Sequence, residues 1–97
     1  MEKKILKYFN IKKKINFSLK EKWFSSLNNL EDNKLCFLSE TTEEEIKKIN
    51  KKKNLILLIK KKNKKINKTI IQIETRDPKL YFFELVKKLY VPKIKNI

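Results

Sequence analysis

Residues 55–59 read LILLI, five consecutive aliphatics between Asn54 and Lys60. A strand with one wet face alternates apolar and polar residues, and this run has no alternation. It suits a strand covered on both faces, the arrangement found in parallel sheets. Parallel neighbours cannot be joined by a tight hairpin, so such a strand needs long crossover connections. The upstream sequence supplies one. KLCFLS reads as a short buried strand from Leu35 to Leu38, and SETTEEEIKKINKKKN reads as a helix before the aliphatic run. Ser39, Thr41 and Thr42 are candidate caps, and Thr41–Glu44 or Thr42–Glu45 has capping-box spacing. Glutamates at the start and lysines at the end complement the helix dipole. Ile46 and Ile49 form the only apolar stripe, which predicts a short helix lying shallowly on the sheet. This strand–helix–strand unit is expected to cross over in the right-handed sense.

Downstream, KKKNKKINK reads as a solvated basic loop and TIIQIE as a β-branched strand. The Arg76-Asp77-Pro78 elbow then starts a helix. The Asp77 carboxylate can accept from first-turn amides, and Pro78 suits the first helical position, where its missing N–H costs nothing. Phe82, Leu85, Val86 and Leu89 follow helical spacing, widened by Phe83 and Tyr90, over about 13 residues. Pro92 is expected to end that element, and Glu84 to pair with Lys88 one turn on. Nearer the N-terminus, residues 3–9 predict a short helix with Ile5, Leu6 and Phe9 on its apolar side. Ile15, Phe17 and Leu19 keep a period of two and predict a half-buried strand, while Trp23, Phe24 and Leu27 look like loop anchors. With no glycine in the chain, Asn28, Asn29 and Asn33 are the residues expected to take positive φ. The expected architecture is one small α/β domain over residues 1–92. It has a sheet of about 4–5 strands containing a βαβ unit, packed by two or three helices. Residues 93–97 form a junction.

Composition removes several function classes. The 97 residues contain no histidine and one cysteine. The commonest general base is therefore missing, no cysteine–histidine metal set can form, and no intrachain disulfide exists. Cys36, within KLCFL, reads as a small buried hydrophobe. Asp32, Glu40, Glu43 and Asp77 are the candidate acids, each better explained as a turn, a cap or a dipole partner. No catalytic residue, metal ligand or cofactor is assigned. No segment approaches the roughly 18 apolar residues of a membrane span, and no signal-peptide core is present; a cytoplasmic protein is expected. The net charge of +15 points toward phosphate-rich partners, with lysine clusters at 12–14, 51–53 and 60–65. Arg76 is the only arginine, and lysine, asparagine and isoleucine are abundant while alanine and glycine are absent. The basicity therefore has two open readings, a nucleic-acid surface or a compositional bias written on an ordinary fold.

The order of elements carries a resemblance. A serine–leucine segment leads through a polar turn to a strand ending in Phe-Leu (SSLNNLEDNKLCFLS). A helix and an aliphatic strand follow, then a second strand, an Asp-Pro elbow and a helix finishing near a proline (TIIQIETRDPKLYFFELVKKLYVPK). Over roughly residues 15–97 this resembles the N-terminal domain of the bacterial UDP-3-O-acylglucosamine N-acyltransferases of lipid A synthesis and related sugar acyltransferases. The resemblance implies a muramyl-ligase-type front domain that contributes to gripping the uridine of a UDP-sugar, and a UDP- or dTDP-amino sugar is the expected ligand. It also implies a following left-handed β-helix of hexapeptide repeats, in which trimers form the active site, a histidine acts as base and the acyl donor binds. VPKIKNI would sit at that junction, so the chain is expected to be the front part of a longer polypeptide.

Phe37 stands where the family places an aromatic against the uracil ring. Ser39 and Glu40 stand at the family's next polar contact, and no aromatic follows them before Ile46. Stacking on one side only would lose about 1–3 kcal/mol relative to a clamp. Three functional readings result: an accessory module of a nucleotide-sugar acyltransferase, a basic nucleic-acid-binding module, and a non-catalytic structural adaptor.

Overall fold

The computed structural model of the protein describes residues 1–90; the expected helix end at Pro92 and the junction at 93–97 lie outside them. Three strands, β1 (Leu35–Phe37), β2 (Ile56–Ile59) and β3 (Ile71–Glu74), form a parallel sheet in the order β1-β2-β3. Helix α1 (Glu2–Tyr8) precedes the sheet, α2 (Glu43–Asn50) joins β1 to β2, and α3 (Pro78–Leu89) follows β3. The aliphatic run is the central strand, and Ile56 through Ile59 are all buried, as coverage on both faces requires.

Side chains that alternate along the strands build two separate cores. One face sends Leu35, Ile56, Leu58, Ile71 and Ile73 toward α1 and α3, where Ile5, Leu6, Trp23, Phe82 and Leu85 meet them. The other sends Cys36, Leu57 and Ile59 toward α2, where Leu38, Ile46, Ile49, Ile66 and Ile70 complete an aliphatic layer. Of the three candidate caps for α2 the structure uses Thr42, and Asp77 caps α3 as expected. Thr42 Oγ1 accepts from the Glu45 amide at 3.2 Å and donates to the Glu45 carboxylate at 3.1 Å, which locks the first turn of α2. The Asp77 carboxylate accepts from the Leu80 amide at 3.1 Å, with Pro78 opening the helix.

Four expectations need correction. The described residues hold three strands rather than 4–5, because Ile15, Phe17 and Leu19 do not pair as a strand. These three are half-buried against the aromatic core, so their alternation reports burial and not a ladder. The segment is tied down instead by the Leu19 amide donating to Glu2 (3.2 Å) and the Lys20 amide to the Asn33 carbonyl (3.1 Å). Second, the loop after β2 is not simply solvated. Ile66 and Ile70 are buried, and the segment lies on the same sheet face as α2. Third, Asn33 has positive φ as expected, but Asn28 and Asn29 lie in a 3-10 turn (Leu27–Asn29); Asn10 and Asn54 take the other left-handed positions. Fourth, Glu84 accepts from the Tyr8 hydroxyl at 3.3 Å, and Lys88 sits over the Tyr8 ring at 5.5 Å. The two residues thus fasten α1 to α3 through one tyrosine.

Candidate functional site

A groove runs along the outer edge of β1 on the aromatic side of the sheet. Its wall begins with the segment Trp23 to Ser25, which lies beside β1: Leu35 donates to the Trp23 carbonyl at 2.7 Å, and Ser25 donates to the Leu35 carbonyl at 3.0 Å. That pairing buries Trp23 and leaves Phe24 half-buried above the strand. Phe37, two residues beyond Leu35, faces the same side and meets α3. Its ring centroid lies 4.8 Å from Phe82 and 6.1 Å from Phe83. Phe24 contacts Phe82 edge-on at 6.2 Å and Tyr90 at 4.9 Å. The result is a concavity of about 410 Å³ lined by Phe24, Phe37, Phe82 and Phe83, with Lys22, Ser25, Ser26, Asn29, Glu31 and Lys34 around them. Phe83 is 54% exposed, an unusual position for a phenylalanine and the open side of this groove.

The polar groups of the groove are unevenly satisfied. Lys34 is buried and directs its ammonium to Glu31 at 3.2 Å, while Lys20 reaches the same carboxylate at 3.4 Å. The hydrogen bond from Lys34, then that from Lys20, holds the Glu31 carboxyl below its ordinary value. Lys22 lies over the Phe24 ring at 5.7 Å. The Ser25 hydroxyl is buried and has no hydrogen-bond partner. Such a group normally carries a cost of about 1–3 kcal/mol.

The sequence-predicted site residues separate. Phe37 lines the groove, whereas Ser39 and Glu40 are exposed on the turn before α2 and are not among its lining residues. The groove's polar residues come from the segment between Lys22 and Lys34 instead. Sequence reasoning missed Ser25 and Lys34 because neither lies in a recognisable motif; their position depends on a pairing made across the strand edge. Phe83 had a legible signal, since it falls beside the Phe82–Leu85–Leu89 stripe and not within it.

A second cleft of about 430 Å³ lies beyond β3, between Tyr8, Phe9, Asn10, Glu74, Thr75, Arg76 and Tyr81. It contains the sole arginine and a second buried hydroxyl without a partner, that of Thr75. The remaining candidate groups have structural duties. Asp32 accepts from the Lys53 amide at 2.9 Å, and Glu43 lies 3.8 Å from Lys65. Burial pushes the Cys36 thiol up to about 12, so it stays protonated and unreactive at neutral pH. Among the described residues no three potential metal ligands cluster, and no helix is long and apolar enough to cross a membrane. Compared with protein-family models, curated proteins and solved structures, the chain matches none of them.

Proposed function

We propose that this chain is the substrate-recognition or accessory domain of a nucleotide-sugar N-acyltransferase of the lipid A or surface-polysaccharide type, with its acyl-transfer chemistry carried elsewhere. The reading rests on the order of elements that resembles muramyl-ligase-type front domains and, above all, on Phe37. This residue ends the edge strand of the sheet inside an aromatic groove whose rim carries Lys22, Ser26 and Asn29. A pyrimidine ring can stack on the open aromatic surface of Phe37 and Phe83, since aromatic stacking tolerates any base face. Ser26 and Asn29, exposed along the groove, can supply the polar contact expected from Ser39, and Lys22 can attract the pyrophosphate. Binding is weak in this domain alone, because the groove presents one stacking surface and not a two-sided clamp. A trimer is expected only with the downstream repeats.

Calorimetry with UDP-N-acetylglucosamine and a dTDP-amino sugar tests the reading. Phe83→Ala removes an exposed ring without emptying the core and should cost about 1–3 kcal/mol of binding. Ser39→Ala and Glu40→Gln should leave affinity unchanged, because both residues lie outside the groove. Absence of heat with every nucleotide sugar tried, at protein concentrations that would register millimolar affinity, overturns the recognition role.

A further inference from the structure

From Lys47 to Ile73 the chain contains eleven lysines and no acidic residue, and from Leu38 to Leu80 it contains no aromatic residue. In sequence these lysines look like the solvated edge of a helix followed by a solvated loop. The fold assembles them otherwise. Ile66 and Ile70 anchor the β2–β3 crossover in the same aliphatic core as Ile46 and Ile49 of α2. The Asn50 side chain at the end of α2 then closes the seam. Its amide donates to the Lys65 carbonyl at 2.8 Å and its carbonyl accepts from the Asn67 amide at 2.8 Å, while the Asn67 side chain returns to the Asn50 backbone at 3.1 Å. The lysine-rich crossover is thus held beside α2, with Lys65 itself 3.8 Å from Glu43 at the helix start.

At the C-terminal end of α2, Lys48, Lys51 and Lys52 converge with Asn28 of the 3-10 turn on a concavity of about 340 Å³ that no carboxylate lines. None of the three forms an ion pair among the described residues. Three neighbouring ammonium groups repel one another, and that repulsion is relieved by a multiply charged anion such as a phosphate diester backbone passing over them. We propose that the face formed by α2 and the β2–β3 crossover binds duplex nucleic acid through its phosphates, without reading sequence. Lysine is suited to that role as a point charge, whereas base recognition favours the arginine this face lacks. The absence of aromatics removes the stacking on which single-strand binding depends, so a duplex is preferred to a single strand. This site is separate from the Phe37 groove and does not depend on the nucleotide-sugar reading.

Fluorescence anisotropy with a DNA duplex of about 20 base pairs, across a salt series, tests the proposal. The triple variant Lys48→Glu/Lys51→Glu/Lys52→Glu is compared with Lys3→Glu/Lys7→Glu/Lys12→Glu, an equal charge change around another lysine-lined concavity near α1. The first should abolish binding at physiological salt and make the salt slope shallower by about 3; the second should weaken binding only modestly. Asn50→Ala, which frees the crossover without altering charge, should weaken binding several-fold, and Phe83→Ala should not change it. Circular dichroism of each variant establishes that the fold persists. Equal losses in both triple variants would show bulk charge and no site, overturning the proposal. So would tighter binding to single strands, or capture by phosphatidylserine vesicles with no affinity for the duplex.

Discussion

The two faces of the sheet share three strands yet differ in almost every respect. The face under α1 and α3 joins aliphatics to rings that meet edge-on or tilted: Trp23 with Phe24, Phe24 with Phe82, Phe37 with Phe82 and Phe83. The face under α2 and the crossover is filled by leucine, isoleucine and one cysteine. Rings are large and rigid and prefer edge-on or offset contacts; four of them line the β1 groove. Branched aliphatics close over the opposite face, where exposed lysines stand above them. The two proposals follow this contrast: a planar ligand is assigned to the first face and an extended polyanion to the second.

The largest expected effects come from emptying each core. Phe82 touches three other rings, and Phe82→Ala should cost about 3–5 kcal/mol in urea unfolding. Ile49→Val on the opposite face should cost only about 0.5–1.5 kcal/mol, because a smaller branched residue leaves a small void. Similar losses from the two substitutions would break the contrast between a ring network and an aliphatic layer.

A smaller effect is expected from Asn50. Losing its two side-chain hydrogen bonds should cost about 1–3 kcal/mol in total. Amide exchange should accelerate across residues 65–71, while exchange in α3 stays near that of the parent protein. Uniform acceleration everywhere would mean that Asn50 supports the whole fold and not the seam.

The smallest effect is a pH dependence on the aromatic side. The Glu2 carboxyl is held below its ordinary value of 4.5, chiefly by its own backbone amide, with further lowering from the Leu19 amide and the N-terminal ammonium. Glu31 is lowered by Lys34 and Lys20. A carboxyl with a depressed folded value contributes stability that is present above its unfolded value and lost as pH falls through the folded one. The urea midpoint should therefore decline below about pH 4.5, and Glu2→Gln should flatten part of that decline. An unchanged profile in the variant would contradict the assignment of Glu2 as the tie for Leu19.

Much of this fold is legible in the sequence, for identifiable reasons. The run LILLI signals a doubly covered strand, and the Thr42–Glu45 and Asp77–Pro78 pairs mark helix starts within a residue, because capping is local chemistry. Pairing is not local. Ile15, Phe17 and Leu19 alternate like a strand but find no ladder, whereas Trp23 to Ser25 do not alternate and yet bond to Leu35. The same limit applies to the groove. Phe37 is singled out by the resemblance, which places an aromatic at that position in the strand, but Ser25 and Lys34 enter only through the fold. Ser39 and Glu40, its neighbours in sequence, are carried away by the turn into α2. The lysine surface was legible as charge and not as a surface, since its seam depends on Asn50 meeting a segment 15 residues further on.

One titration tests the division of labour directly. A ¹⁵N-labelled sample of the full chain is observed by two-dimensional NMR, first with UDP-N-acetylglucosamine and then with the DNA duplex. The nucleotide sugar should shift the amides of Ser25, Phe37 and Phe83 and leave Lys48, Lys51 and Asn67 unmoved; the duplex should do the reverse. If both ligands perturb the same residues, or the nucleotide sugar perturbs none on the aromatic face, the two faces do not have the separate roles assigned to them.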